Sequence, residues 1–213
     1  MMDVHRWMVL AGLFLSLTGC GAAAGQGEGR AEVLFADNCG PCHGVGGEGN
    51  PSIAAPAIAG LPEWYVLAQL TKFRDGIRGA HADDTEGLRM RPMARTLLPE
   101  DVAPISAYVA ALTPVAPDHV VSGDADAGKA LYATCAACHG VDGKGNQALN
   151  APPIATMDDW YLRSQLGKFR SGVRGANPKD VTGLQMRPMA MTLKDDKAVS
   201  DVVAHIATLS GGH

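Results

Sequence analysis

Cys39-Gly40-Pro41-Cys42-His43 returns 96 residues further on as Cys135-Ala136-Ala137-Cys138-His139. Cys-x-x-Cys-His is the attachment signature of c-type haem. Two thiols add across the haem vinyl groups, and the neighbouring histidine falls under the iron as its proximal ligand. A single copy would also suit a thioredoxin-like or zinc-type Cys-x-x-Cys. Two copies in register, each followed at the same distance by methionine, point to two covalently bound haem c groups. One is expected on Cys39 and Cys42 with His43 on the iron, the other on Cys135 and Cys138 with His139.

The repeat extends well beyond the motif. Residues 39–97 and 135–193 align without a gap, and 33 of the 59 positions are identical. A tandem duplication explains this. The expected organisation is a first domain over 30–113, a linker over 114–122 and a second domain over 123–213. Thr113-Pro114-Val115-Ala116-Pro117-Asp118 reads as short and stiff.

Each unit reads as helical. Asp124 is a candidate N-cap for a helix in which Ala127, Ala130 and Leu131 share one face just before Cys135. Glycine and proline after the haem motif predict loop. A middle helix starts near Pro62 or Asp158 and stops at Gly76 or Gly172. The last helix carries Val102, Ile105, Val109 and Leu112, or Val199, Val202, Val203, Ile206 and Leu209, an apolar stripe suited to the first helix. No stretch alternates long enough to make a sheet, so the expected fold is all-α, each domain wrapped around one haem.

The composition agrees. With 46% apolar and 19% charged residues the chain is of globular type, but aromatics make up only 5%, and haem would fill the cores instead. A formal net charge of −4 without a basic cluster excludes nucleic acid as a partner. Residues 21–113 carry seven Lys/Arg against eleven Asp/Glu, and residues 114–213 ten of each. The two ends could therefore face different partners.

Four of the five cysteines belong to the haem motifs, and the fifth is Cys20. It follows His5-Arg6 and an apolar run from Trp7 to Leu17, too short to span a bilayer but suited to export. Leu17-Thr18-Gly19-Cys20 resembles the bacterial lipobox. On that reading residues 1–19 are a lipoprotein signal peptide, Cys20 carries lipid, and residues 20–29 tether the domains to the membrane. The nine residues after Cys20 would reach about 17 Å. Cleavage after Ala22-Ala23-Ala24 would instead release a soluble periplasmic protein. Both routes place the chain outside the cytoplasm.

The sixth iron ligand separates a carrier from an enzyme. Met90-Arg91-Pro92-Met93 and Met186-Arg187-Pro188-Met189 recur, flanked by loop-forming residues, and a thioether favours ferrous iron. Either methionine of each pair fits. His81 has Asn177 as its repeat partner and cannot explain both sites; His119, His205 and His213 read as structural or solvent-exposed. Lys72-Phe73-Arg74 with Arg78, and Lys168-Phe169-Arg170 with Arg174, read either as cationic helix ends or as sources of an arginine for a haem propionate. Trp64 and Trp160 read as haem-packing core.

At these motifs the chain closely resembles the two-haem class I cytochromes c of the cytochrome c4 type, over nearly all of its mature length. The resemblance implies Met90 and Met186 as iron ligands, each opening a Met-x-x-x-Ala-x-x-Leu stretch, with Met93 and Met189 packing beside the haem. It also implies that Pro56 and Pro152 supply the carbonyls that orient the proximal histidines. The expected function is single-electron transfer on the periplasmic side, from a quinol–cytochrome c oxidoreductase or dehydrogenase to a terminal oxidase, with no catalytic residues and no small-molecule substrate. Family members also serve as subunits of larger oxidases or dehydrogenases. A dihaem peroxidase or haem sensor would need two differentiated sites and a distal acid–base group, against the near-identity of the halves.

Overall fold

The computed structural model describes residues 24–210, so Cys20, the candidate leader and His213 lie outside the described residues. The first domain comprises α1 (Ala24–Leu34), α2 (Gly40–His43), α3 (Glu63–Arg74), α4 (Thr85–Thr96) and α5 (Pro99–Ala111). The second comprises α6 (Ala125–His139), α7 (Asp159–Ser171), α8 (Val181–Met191) and α9 (Asp196–Leu209). No strand occurs among the described residues; single bridges, Asn50 to Ala55 and Asn146 to Ala151, pin the loop after each haem motif. The fold is all-α, as expected.

Helix ends follow the chemistry of their residues. Asp124 caps α6 by accepting from the backbone N–H groups of Asp126 and Ala127. Asp84 and Asp180 cap α4 and α8 through Gly87 and Gly183. α7 ends on Gly172 in the left-handed region (φ 82°), whereas α3 stops earlier than expected, with Asp75 as its C-cap. α1 starts at Ala24, inside the segment expected to be a flexible tether, and runs into a five-residue π-turn, Phe35–Cys39, whose Phe35 is core. The second domain has no such turn: α6 is continuous to His139.

The last helix of each domain packs through its expected stripe, whereas α6 buries Gly128 and Tyr132 and leaves Ala130 of the expected Ala127, Ala130 and Leu131 face exposed. Val102, Ile105 and Val109 are buried with Ala31 and Phe35, and Val199, Val202, Val203 and Ile206 with Tyr132. In the second domain α6 and α9 approach so closely that a Cβ on Gly128 would collide with the Asp201 carbonyl oxygen. Burying each such side chain contributes about 1.5–3 kcal/mol.

Asp158 stands at the N-terminus of α7, where the middle helix is expected to begin, but its side chain makes no cap. Instead it accepts from the Ala57 N–H of the first domain (3.0 Å) and the Asp118 N–H of the linker (3.1 Å). Asp159, 1% exposed, holds the Val121 N–H at 2.8 Å. The linker is thus bonded along the start of α7.

In the first domain Arg30 donates two hydrogen bonds to Asp101 (2.6 and 2.9 Å), and the Leu98 N–H adds a third. The Arg30 hydrogen bond holds the Asp101 carboxyl below the usual carboxylate range. A lowered folded-state value means stability that is present above the unfolded value, about 3.9, and lost as pH falls through the folded one. Arg30→Gln is therefore expected to unfold at lower denaturant than the parent near neutral pH. The difference should shrink steadily below about pH 4, as followed by circular dichroism in urea.

Candidate haem centres

Both haem motifs lie on helix ends that turn their histidines inward. His43 ends α2 and His139 ends α6, each followed by glycine at φ 83° or 82° that swings the chain away. The Nδ1 of His43 donates to the Pro56 carbonyl at 2.8 Å, and that of His139 to the Pro152 carbonyl at 2.8 Å. With Nδ1 occupied, Nε2 is left as the metal-binding nitrogen. Burial lowers the pKa of both rings, which keeps them neutral as ligation requires.

Cys39 and Cys135 are half-buried, and Cys42 and Cys138 exposed. Burial pushes the Cys39 thiol up to about 11 and raises that of Cys135. A dithiol exchange site needs the opposite shift, so the thioredoxin-like reading has no support here. Among the described residues no group of three His, Cys, Asp or Glu converges to hold an ion alone, which leaves a zinc-type site without its ligand set.

In the second domain Cys135, Cys138, His139, Met186 and Met189 line one cavity with apolar walls from Ile154, Leu166 and Phe169. The donor set and the apolar walls fit haem c. Met186 is half-buried against the domain core, and Met189 is 41% exposed. The first domain repeats this: Met90 packs with Cys39 against the core, and Met93 is 37% exposed. These methionines sit in α4 and α8 and not in the loops expected for them. Pro92 and Pro188 suggested loop, but each only frees a carbonyl one turn back, at Leu88 and Leu184, both exposed. The i, i+3 spacing puts both methionines of a pair on one helix face.

The other histidines have separate partners. His81 accepts from the Asp83 N–H, His119 bonds Ser210, and the His205 ring lies 5.2 Å from that of Tyr132. Trp64 packs against the second domain's core cluster with Tyr65, and the buried Nε1 of Trp160 has no protein partner.

Between the domains lies a ring of polar side chains that sequence reading did not assemble. Arg78 donates to Gln69 (2.9 Å), to the Tyr161 hydroxyl (2.9 Å) and to Gln165 (3.0 Å); Arg174 donates to Gln165 (2.8 Å) and Gln69 (3.1 Å). Each guanidinium also lies over a phenylalanine ring, Phe73 or Phe169, at 4.5 and 4.6 Å. Lys72 crosses to Asp180 and Thr182, and Lys168 crosses back to Asp84 and Glu86. Tyr65, Gln69 and Lys72 of the first domain therefore line the second domain's cavity. The available signal was that Tyr, Gln, Lys, Arg and Asp are identical at these polar positions in both halves.

No carboxylate hydrogen-bonds Arg78 or Arg174 among the described residues. Burial alone would raise the Tyr161 phenol, yet Arg78 and Arg174 bring it down to about 8. So positive a buried site calls for anions, and haem propionates are the anions that c-type haem supplies. Arg74 and Arg170 are less suited, since Arg170 pairs at the surface with Asp196.

The model of the cytochrome c family matches residues 29–113 and again 125–210. The chain belongs to the cytochrome c family, as a two-haem member of the cytochrome c4 kind. It is 36% identical to cytochrome c4 of Pseudomonas aeruginosa, over 94% of this chain and 98% of the relative. It is 30% identical to a thiosulfate dehydrogenase electron acceptor of Stutzerimonas stutzeri, over 82% and 81%. The fold superposes on reduced cytochrome c4 from Pseudomonas stutzeri with a TM-score of 0.64 and 28% identity, covering 91% of this chain and 100% of that one. It also superposes on a thiosulfate dehydrogenase from Marichromatium purpuratum, with a TM-score of 0.67 and 29% identity, covering 85% of this chain but 40% of that one. Two haem c groups are bound covalently, and the chain is a dihaem electron-transfer cytochrome.

The crossed lysines give a direct test of this interface. Asp180 is 3% exposed at its side chain and serves both as cap of α8 and as partner of Lys72. Asp180→Asn keeps the cap but leaves the largely buried Lys72 ammonium with the Thr182 hydroxyl and no carboxylate, and a stability loss of about 1–3 kcal/mol is expected. Asp195→Asn, a cap without a buried cation, should cost less than about 1 kcal/mol. Equal losses in urea titrations would contradict the assignment.

Proposed function

We propose that the chain carries single electrons on the periplasmic side of the membrane, from a quinol–cytochrome c oxidoreductase or a dehydrogenase to a terminal oxidase. His43 with Met90, and His139 with Met186, would hold the two irons, and Cys39, Cys42, Cys135 and Cys138 would attach the haems. The observation that supports this most is the recurrence of the same inward methionine, half-buried and packed beside the haem motif, in both domains. A thioether opposite a neutral imidazole raises the potential and closes the iron to exogenous ligands, which suits a carrier.

The protein's own part is positioning. Pro56 and Pro152 fix the histidine rings, the apolar walls exclude water, and Arg78 and Arg174 are the groups to hold the propionates ionised. Cys20 is the proposed lipid-attachment site, with residues 1–19 removed and the folded domains held near the bilayer. Membrane attachment would confine diffusion to two dimensions between fixed partners.

A second reading concerns the partner. The likeness to a thiosulfate dehydrogenase of which this chain spans 40% favours a role as subunit or dedicated acceptor of a dehydrogenase. The redox chemistry is the same in both.

Potentiometric titration of the haem-loaded protein, followed in the Soret region and in the weak red sulfur-to-ferric-iron band, tests the ligand set. Two closely spaced, high-potential, one-electron steps are expected, with the red band from both haems. Met90→Leu and Met186→Leu should each abolish the band for one haem and lower its potential; Met93→Leu and Met189→Leu should retain it. A high-spin haem in the parent protein would contradict the carrier reading. For the anchor, Cys20→Ser should abolish incorporation of labelled fatty acid and move the protein from membrane to soluble periplasmic fractions.

A further inference from the structure

The polar ring between the domains is built from six residue pairs related by the 96-residue repeat. Five are identical: Tyr65 and Tyr161, Gln69 and Gln165, Lys72 and Lys168, Arg78 and Arg174, Asp84 and Asp180. The sixth pair is Glu86 and Thr182. In the second domain the buried Lys72 ammonium meets one carboxylate, Asp180, and the Thr182 hydroxyl. In the first, Lys168 meets two carboxylates, Asp84 and Glu86. The ring that is otherwise symmetric thus carries one extra negative charge on the first domain's side.

This charge is well placed to act on a haem. Lys72, Asp180 and Thr182 all line the second domain's cavity, Asp180 as the N-cap and Thr182 in the first turn of the helix that carries Met186. Glu86 holds the corresponding place on α4, four residues before Met90. Lys168, its partner, is 13% exposed at the side chain and Glu86 itself 38%, so the charge is partly screened on the carboxylate side and held at the ring by the lysine. Of the other charge differences between the repeats, Glu48 against Lys144 and Asp83 against Lys179 lie on exposed residues, and the buried Asp158, which stands against Pro62, is bonded at the linker to the Ala57 and Asp118 N–H groups. Arg89, which replaces the cavity-lining Gln185, is also exposed.

Resting on the dihaem carrier reading, we propose that Glu86 splits the two reduction potentials and sets the direction of internal electron flow. Its carboxylate stabilises the more positive ferric state of the first domain's haem. That haem is therefore the lower-potential one and the internal donor, and the second domain's haem, facing Thr182, holds the electron. Oxidation of one iron and reduction of the other balance, with one electron passing between domains and no other reactant.

The test is potentiometry of the holoprotein, with each haem identified by its paramagnetically shifted methyl resonances in NMR. Glu86→Gln should raise the first domain's potential and bring the inter-haem equilibrium constant about three- to tenfold closer to unity, tenfold being about 59 mV for one electron. Thr182→Glu should narrow the gap from the other side. Glu86→Thr combined with Thr182→Glu should invert the order. An unchanged gap in all three, a parent protein with the second haem lower, or a gap controlled by Arg89→Gln and not by Glu86→Gln, would overturn the proposal. In each of these cases intact red bands leave the carrier reading standing. Loss of the red band in the parent would remove both.

Discussion

Two half-buried guanidinium groups, Arg78 and Arg174, meet at the domain boundary, where they hydrogen-bond amides and a phenol and lie over aromatic faces. Like charges at close range in a poorly solvated site repel strongly unless anions are present. The protein supplies carboxylates one layer out, where Asp84 and Asp180 receive the crossed lysines, but none on the guanidiniums themselves. On the proposed reading haem propionates would complete the neutralisation, which would make cofactor binding and domain docking one electrostatic problem. Gln69 and Gln165 make the arrangement mutual, because each amide accepts from both arginines.

This arrangement explains why the duplication kept polar positions as well as core ones. A helix stripe tolerates exchange among Val, Ile and Leu, as Val66 against Leu162 shows. A ring in which each side chain bonds across the repeat axis does not, since one substitution leaves a buried partner unsatisfied. The exceptions are then informative. Glu86 against Thr182 changes the charge while retaining an acceptor for lysine, so the ring can close and still be electrically lopsided.

Much of the site was legible in the sequence because covalent chemistry dictates spacing. Attachment fixes Cys39, Cys42 and His43 within five residues, and the carbonyls of Pro56 and Pro152 bond the histidines as the family resemblance implied. The helices followed from apolar periodicity and from caps such as Asp124. The helical setting of Met90 and Met186 was not legible, because Pro92 and Pro188 argue locally for loop and only the exposure of the freed carbonyls permits helix. Nor was the interface: Lys72 and Asp180 are 108 residues apart, and nothing local distinguishes a lysine bound across domains from one in solvent. Asp158 marks the start of a helix in the sequence, and nothing local shows that its carboxylate ties the linker to the first domain.

The two domains dock in one fixed arrangement that brings their haem cavities to a shared polar ring. Pulsed electron paramagnetic resonance on the fully ferric protein measures the iron–iron separation directly. A single narrow distance distribution is expected, broadening when Arg78 and Arg174 are both replaced by glutamine. A broad distribution in the parent protein, of the breadth two tethered but undocked domains would give, would contradict it.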